Sequence, residues 1–527
     1  MARSPAVPPP EPGKGGARDD RAERRSRPFP GLPRPHPDRA GPTALSYPAS
    51  MASVASEIDA LLEQAARLAA EHLEASADRS RPVVDWRDPA DLERELALEL
   101  PDRGRPLEEV IADARRFLAR SVRTGHPFFF NQLFNRIEPA AILGEWLAAV
   151  ANTSMYTYEA APVFTLIEEK LSERLCALVG FEHGEGVLGP GGSTSNLMAM
   201  LAARTRTWPR SRIAGLPAGE RPAVLASAEA HYSIPRAASI LGLGLEAVIP
   251  VPCDDRGAMR PEELARALAS AAAAGRKPFF VCATAGTTMA GAYDPVAAIA
   301  PLCREHGAWL HVDAAYGGSA LFSPRHRHLL AGIDQADSVA WNPHKAMAVP
   351  LHCSALLMRR RGDLEETFAT SADYLFHDTE EAGRDRGDMT LQCGRRVDAL
   401  KLWLAWQAIG DDGFRARVDH AFALVAAARE RVSARPDFEL VREPMGCNLL
   451  FRWLPAADAP PEAVDALNVA LRERLKRSGR IMLNYSRLDG RVALRLVLTH
   501  PELRPADLDE VLDAVAEAGR AAELAQA

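Results

Sequence analysis

From about residue 125 the chain alternates short, unbroken apolar runs with helix-like stretches, and this rhythm constrains the fold more than any other feature. "AVLASAEAHYS", "PFFVCATAGTT", "AWLHVDAAYGG" and "DSVAWNPHK" read as strands buried on both faces, each ending in small or polar residues. Helical segments such as "PEELARALASAAAAG" and "PVAAIAPLCREHG" lie between them. The pattern predicts an α/β fold built on a doubly wound, mainly parallel sheet. In such sheets ligands gather beyond the carboxyl ends of the strands, so the polar residues there are the first candidates for chemistry. After about residue 398 the helical stretches lengthen ("DALKLWLAWQAIG", "AFALVAAARERVSA"). Two antiparallel-looking strands follow, "NLLFRWL" and "VALRLVL", which predict a smaller C-terminal α+β unit.

The rest of the chain divides by composition. Residues 1–50 are rich in Pro, Arg and Gly and nearly free of large aliphatics, so they cannot build a core and are expected to be disordered. Asp19, Asp20, Glu23 and the many prolines argue against an amphipathic transit helix. Met51 is a candidate true start, because an amphipathic helix begins just after it, with Ile58, Leu61, Leu62, Leu68 and Leu73 at helical spacing. The expected organisation is therefore a disordered extension (1–50), a helical N-terminal segment (51–124), a large ligand-binding domain (125–397) and a small C-terminal domain (398–527).

A formal charge of -7 over 527 residues gives no drive toward nucleic acid or anionic membrane. No apolar stretch approaches the roughly 20 residues needed to span a bilayer. The seven cysteines, Cys176, Cys253, Cys282, Cys303, Cys353, Cys393 and Cys447, are scattered without paired spacing, as reduced thiols of a cytoplasmic protein would be. Small-molecule chemistry is the better expectation. A metal site at "HRH" (His326, His328) is not expected, since adjacent histidines between arginines are ordinarily solvated.

Five motifs gather at the strand ends. Lys345 follows "SVAW" in "NPHK"; alone it would read as a loop lysine. Asp313 closes "WLHVDAA", where an unpaired carboxylate costs several kcal/mol and so needs a strong partner such as a pyridinium N–H. His231, in "EAHYS", could stack on a flat heteroaromatic ring or be satisfied structurally. "GPGGSTSNLMAMLAAR" places two glycines, Ser193, Thr194 and Ser195 at a helix start, which suits a phosphate cradle or a simple cap. "TAGTT" brings Thr284 to the same edge. A lysine, a buried aspartate, a ring-stacking histidine and a phosphate cradle together fit one ligand, pyridoxal 5'-phosphate, carried by the lysine as a Schiff base with the aspartate holding the ring nitrogen protonated.

The order and wording of these motifs resemble the group II pyridoxal-phosphate-dependent amino-acid decarboxylases, most densely the branch of glutamate, cysteine sulfinate and aspartate decarboxylases. The resemblance runs through "FFFNQLF", "EWLAAVANTSMYTYEAAPVF", "GPGGSTSN", "HYSI", "ATAGTT", "HVDAAYGGS", "WNPHK", "CSALL", "DYLF" and "QCGRRVDALKLW". It implies an aspartate-aminotransferase-like large domain and an obligate homodimer with sites at the interface and the N-terminal segment wrapped around the partner. By position it makes Lys345 the Schiff-base lysine, Asp313 the partner of the pyridine nitrogen and His231 the stacking group. His344 would help hold the phosphate, with Asn342 beside it among the cofactor-binding residues. Thr194 and Ser195 would form the cradle, while Thr284 and Ala315 would flank the ring. Arg495, in "VALRLVL", matches the arginine that binds the substrate α-carboxylate, although composition alone would leave it exposed on a strand. Tyr374, in "DYLF", matches the tyrosine of a mobile loop over the site and is the expected proton donor at Cα. The polar "HDTEEAGRDRGD" that follows suits a lid.

"FNQLF" lies where the family contacts the distal end of the substrate. Phe134, where glutamate decarboxylases resemble "FNQLS", would shorten the pocket, and Gln132, with Asn131 less directly, could bond a distal acidic group. The expected substrate is a short acidic amino acid, aspartate or cysteine sulfinate, over glutamate. His352, where the acidic branch usually has glutamine, and "MLNYSRLDGR", with Asn484 and Tyr485, depart from the branch and leave diaminobutyrate-like or aromatic substrates open. An aminotransferase shares fold and lysine, but "NPHK" after "HVDAAYGG" points toward decarboxylation. A dead scaffold would be expected to lose Lys345, Asp313 or Arg495, and all three are present.

Overall fold

A computed structural model describes residues 51–370, 382–456 and 459–526. The expected disorder of residues 1–50 and the Tyr374 loop lie outside them. Residues 66–527 group as one compact unit, and residues 51–65, the first half of a helix Met51–Ala77, group apart.

The large sheet has seven strands: β1 (Glu185–Gly189), β2 (Pro222–Ser227), β3 (Val248–Val251), β4 (Lys277–Thr284), β5 (Trp309–Asp313), β6 (Ser338–Trp341) and β7 (Ser354–Met358). Their order is β1-β7-β6-β5-β4-β2-β3. The pairs from β6 through β5, β4 and β2 to β3 are parallel, and β7 runs antiparallel to both of its neighbours. The apolar runs foresaw β2, β4, β5 and β6. In β4 every residue after Lys277 is buried, and in β5 every residue is, as expected for strands covered by helices on both faces. Helices Pro162–Val179 and Val296–His306 are among the covers.

The second sheet is antiparallel, with strands β8 (Phe438–Leu440), β9 (Asn448–Trp453), β10 (Asn484–Leu488) and β11 (Arg491–Val497) in the order β10-β11-β9-β8. The expected strands "NLLFRWL" and "VALRLVL" are β9 and β11, and they pair directly. The core of this sheet takes apolar side chains from helices Pro461–Ser478 and Asp507–Gln526 and also takes in Phe128, Phe129 and Phe130. The backbone N–H of Phe130 donates to the carbonyl of Met482 at 2.7 Å, so the "FFFNQLF" segment is anchored on the small sheet. The two helical stretches expected after residue 398 both lie within Asp398–Ala434, where Gly410 adopts φ 61° and ψ -175° and breaks the helix in two.

Among the described residues no helix is long and apolar enough to cross a membrane, all seven cysteines are free thiols and no cluster could hold a metal ion. His326 is not simply solvated: its ring stacks on Phe422 at 3.8 Å between centroids.

Candidate active site

The carboxyl ends of β2, β4, β5 and β6 and the loop after β1 converge on a cavity of about 310 Å³. Lys345, Asp313 and His231 all line it. So do Thr194, Thr284 and Ala315, together with Asn342 and His344 from the turn after β6. This convergence follows from topology: parallel strands with right-handed crossovers point their carboxyl ends the same way, so residues more than a hundred positions apart meet.

Lys345 sits on a tight turn, its N–H donating to the carbonyl of Asn342 at 3.0 Å. Burial lowers the pKa of its ammonium group; Asp313 opposes that shift and Arg495 adds to it. Asp313 accepts from the Asn196 side-chain amide at 2.7 Å and from the Ala315 N–H at 3.1 Å. Those neutral donors, and no cation in ion-pair range among the described residues, are the partners its burial demanded. His231 Nδ1 lies 2.9 Å from Ser233 Oγ, and burial holds the imidazole below its ordinary pKa, hence neutral. His344 is pushed by burial to about 4 and is also neutral, its Nδ1 spent on the backbone of Cys353.

Arg495 is 2 % exposed, against the exposure that composition suggested. It donates to the carbonyl of Thr288 at 2.5 Å and to that of Asn131 at 2.7 Å, while its Nε has no partner. Among the described residues it has no carboxylate in ion-pair range. Thr288 lines the cavity, so the guanidinium is held directly behind its wall.

Besides Arg495, three expected site residues do not line the cavity. Ser195 does not line the cavity: its hydroxyl is 3.0 Å from Ser354 Oγ, which donates to Asn342 Oδ1 at 2.6 Å, so it braces the wall from behind. Gln132 is exposed, and Phe134 packs near Phe129 with centroids 6.3 Å apart; neither lines the cavity of this chain. The physical reason is the anchoring of the preceding phenylalanines in the small-sheet core, which turns the segment so that Asn131 offers its carbonyl to Arg495. The Asn131 side chain is engaged too, accepting from Arg472 at 3.4 Å.

Sequence reasoning missed Asn196, Tyr316 and Asn448. Tyr316 lines the cavity and donates to Asn448 Oδ1 at 2.9 Å. Asn448 in turn donates to the carbonyls of Thr288 and Met289, steadying the segment that holds Arg495. A polar residue opening the largely apolar run "NLLF" was the available signal for Asn448, the first residue of β9.

The residue set fits pyridoxal 5'-phosphate. At one end Gly191 adopts φ 142° ahead of the helix Gly192–Thr207, and a Cβ on Gly192 would meet the Asn342 amide at 3.0 Å, so the backbone comes close to that wall only because glycine stands there. Thr284 Oγ1, on the cavity wall, is buried without a partner.

Comparison with known proteins agrees. The pyridoxal-dependent decarboxylase conserved domain matches residues 89–454. Cysteine sulfinic acid decarboxylase of Mus musculus is 45% identical over 444 residues, 82% of this chain and 90% of the relative. Glutamate decarboxylase of Drosophila melanogaster is 39% identical, with 85% and 90% covered. The apo crystal structure of mouse CSAD superposes with a TM-score of 0.85 at 42% identity, covering 88% of this chain and 99% of that one. With a matching domain over most of its length and a cavity that presents a lysine, an aspartate and a neutral histidine at the ends of a parallel sheet, this chain belongs to the pyridoxal-dependent decarboxylase family.

Proposed function

We propose that this enzyme removes the α-carboxylate of a short acidic L-amino acid, cysteine sulfinate or aspartate, using pyridoxal 5'-phosphate held by Lys345, Asp313, His231 and the helix start Gly192–Thr194. The observation that carries the reading is Arg495, a buried guanidinium with no carboxylate partner among the described residues, fixed behind the wall of a lysine-bearing cavity. A buried cation without an anion is costly, and a substrate carboxylate supplies the anion.

When bound, the cofactor supplies an electron sink for the bond breaking at Cα. Asp313 would hold positive charge at the ring nitrogen. His231 would cover the ring face, and Thr284 and Ala315 would flank it. His344 and Asn342 would steady the phosphate end with Thr194, while Ser195 would act through Ser354 and Asn342. Lys345, whose ammonium pKa burial lowers, would hold the cofactor through its side-chain nitrogen. Arg495 orients the substrate so that the carboxylate is the group to leave. Tyr374 is proposed as the proton donor at Cα.

Support for the short acidic substrate comes from the 45% identity to a cysteine sulfinic acid decarboxylase against 39% to a glutamate decarboxylase. We also propose a homodimer. Leu143, Trp146, Leu147 and Val150 make one exposed apolar face of the helix Pro139–Ala151, at spacings of three and four, and a second copy would cover it. A cytoplasmic setting suits seven free thiols.

The test is carbon dioxide release by the cofactor-loaded enzyme from cysteine sulfinate, aspartate, glutamate, diaminobutyrate and aromatic amino acids. Release from the first two in preference to glutamate supports the reading. Preference for any of the others overturns the substrate, and amino transfer to a keto acid without carbon dioxide overturns the reaction.

A further inference from the structure

Asn196 and His311 fall within the motifs "GPGGSTSN" and "HVDAAYGGS" but were given no role there, yet they connect both residues that would grip the cofactor ring. Asn196 is 1 % exposed and His311 is wholly buried, stacked on Phe280 with ring centroids 5.6 Å apart. The Asn196 amide nitrogen donates to Asp313 Oδ2 at 2.7 Å and to Ser233 Oγ at 2.9 Å, using both of its protons. Its oxygen lies 2.9 Å from His311 Nε2, and His311 Nδ1 lies 2.8 Å from Ser338 Oγ. Ser338 Oγ also accepts from Trp309 Nε1 at 2.8 Å.

The chemistry of each group leaves one consistent direction for every proton. Asp313 is acceptor-only when ionised, so the Asn196 nitrogen, not its oxygen, must face it. The Asn196 oxygen then needs a donor, which places the His311 proton on Nε2. Burial keeps that imidazole neutral, at about 4, so Nδ1 is bare and receives the Ser338 hydroxyl proton. At the other end Ser233 Oγ accepts from Asn196, so its own proton goes to His231 Nδ1, which the Ser233 N–H also approaches at 3.3 Å. The His231 proton is thereby placed on Nε2.

We infer that Asn196, oriented by His311, is a positioning residue that holds the ring-nitrogen aspartate and the ring-face histidine in a single proton-ordered network, fixing Asp313 as an acceptor and His231 as the Nε2–H tautomer. The inference rests on the proposed cofactor roles of Asp313 and His231. It extends them to Asn196 on the cavity wall and to His311, which does not line the cavity and acts through Asn196.

The experiment compares wild type with Asn196→Asp, Asn196→Leu, His311→Phe and His311→Gln, reading cofactor dissociation constant on reconstitution, the pH titration of the bound cofactor's visible band, and kcat and KM separately. Asn196→Asp keeps the shape but sets an oxygen against Asp313. It should weaken cofactor binding about tenfold or more, shift the visible-band titration and lower kcat about 100-fold, with substrate KM little changed. His311→Phe should act in the same direction, and His311→Gln, which restores a donor near the Nε2 position, should recover much of the loss. Melting curves separate these effects from unfolding. Should Asn196→Asp and His311→Phe fold with wild-type cofactor affinity and titration, or should all four variants only lower the melting temperature, the inference is overturned. A wild type that takes up no cofactor would instead overturn the functional reading itself.

Discussion

The two halves of the site are built in opposite ways. The cofactor half, at the end of the large sheet, surrounds Asp313 with neutral donors whose protons are all committed, and burial lowers the pKa of His231 and His344. The carboxylate half, on β11 of the small sheet, holds the Arg495 cation by two backbone carbonyls and leaves its Nε unpaired. A saturated network preserves one geometry whether or not a ligand is bound; an undersatisfied buried cation is a site that gains most when an anion arrives. Damage to the two halves should therefore look different: loss of cofactor and of kcat in the first, loss of substrate affinity in the second.

The largest effect expected is in the cofactor half. Lys345→Ala should abolish both turnover and the visible band of the lysine-bound cofactor; a spectrum unchanged from wild type would remove Lys345 from its role. Next comes Arg495→Gln, which should raise KM about 100-fold while the visible band and cofactor affinity stay intact. An equal loss of cofactor would erase the distinction between the halves. Asn448→Ala, which frees the Thr288–Met289 carbonyls, should act as a weaker version of the same defect, lowering kcat/KM about tenfold; unchanged kinetics would show that Arg495 does not depend on this brace.

Acid should cost both halves stability. Burial pushes His311, His344 and His500 each to about 4, whereas in the unfolded chain they titrate near their ordinary 6.5. Between those values the unfolded chain binds protons that the native state refuses, so stability is complete above about pH 6.5 and falls as the pH drops toward 4. Urea midpoints at pH 7 and pH 5 measure this. His500→Gln, which can keep a donor to the Gly125 carbonyl, should remove part of the fall, and an identical pH dependence would show that His500 titrates normally. The smallest effect is expected for Phe134→Ser. Its ring lies off the cavity of its own chain, so substrate preference should change by less than about threefold. A clear gain for glutamate would show that a second copy brings Phe134 to the site.

The sequence by itself determined the four central strands of the large sheet, β2, β4, β5 and β6, and most of the cavity-lining residues at their ends. Strands β4 and β5 are buried on both faces, so they are written as unbroken apolar runs, and the polar residue that ends each run marks the carboxyl edge where the ligand lies. Family wording then attached roles to Lys345, Asp313 and His231. Only the tertiary structure decided the rest. In β11 the residues from Val492 to Val497 are all buried, so alternation does not reveal which way Arg495 faces, and its holders come from Thr288 and Asn131, some two hundred and more than three hundred and sixty positions away. Asn196 and His311, 115 positions apart, are polar residues with other polar residues beside them, Ser195 on the helix and Asp313 on the strand, so nothing in the sequence singles them out. Their importance lies in which hydrogen bond each can still make, and that depends on neighbours that only the folded chain brings within 3 Å.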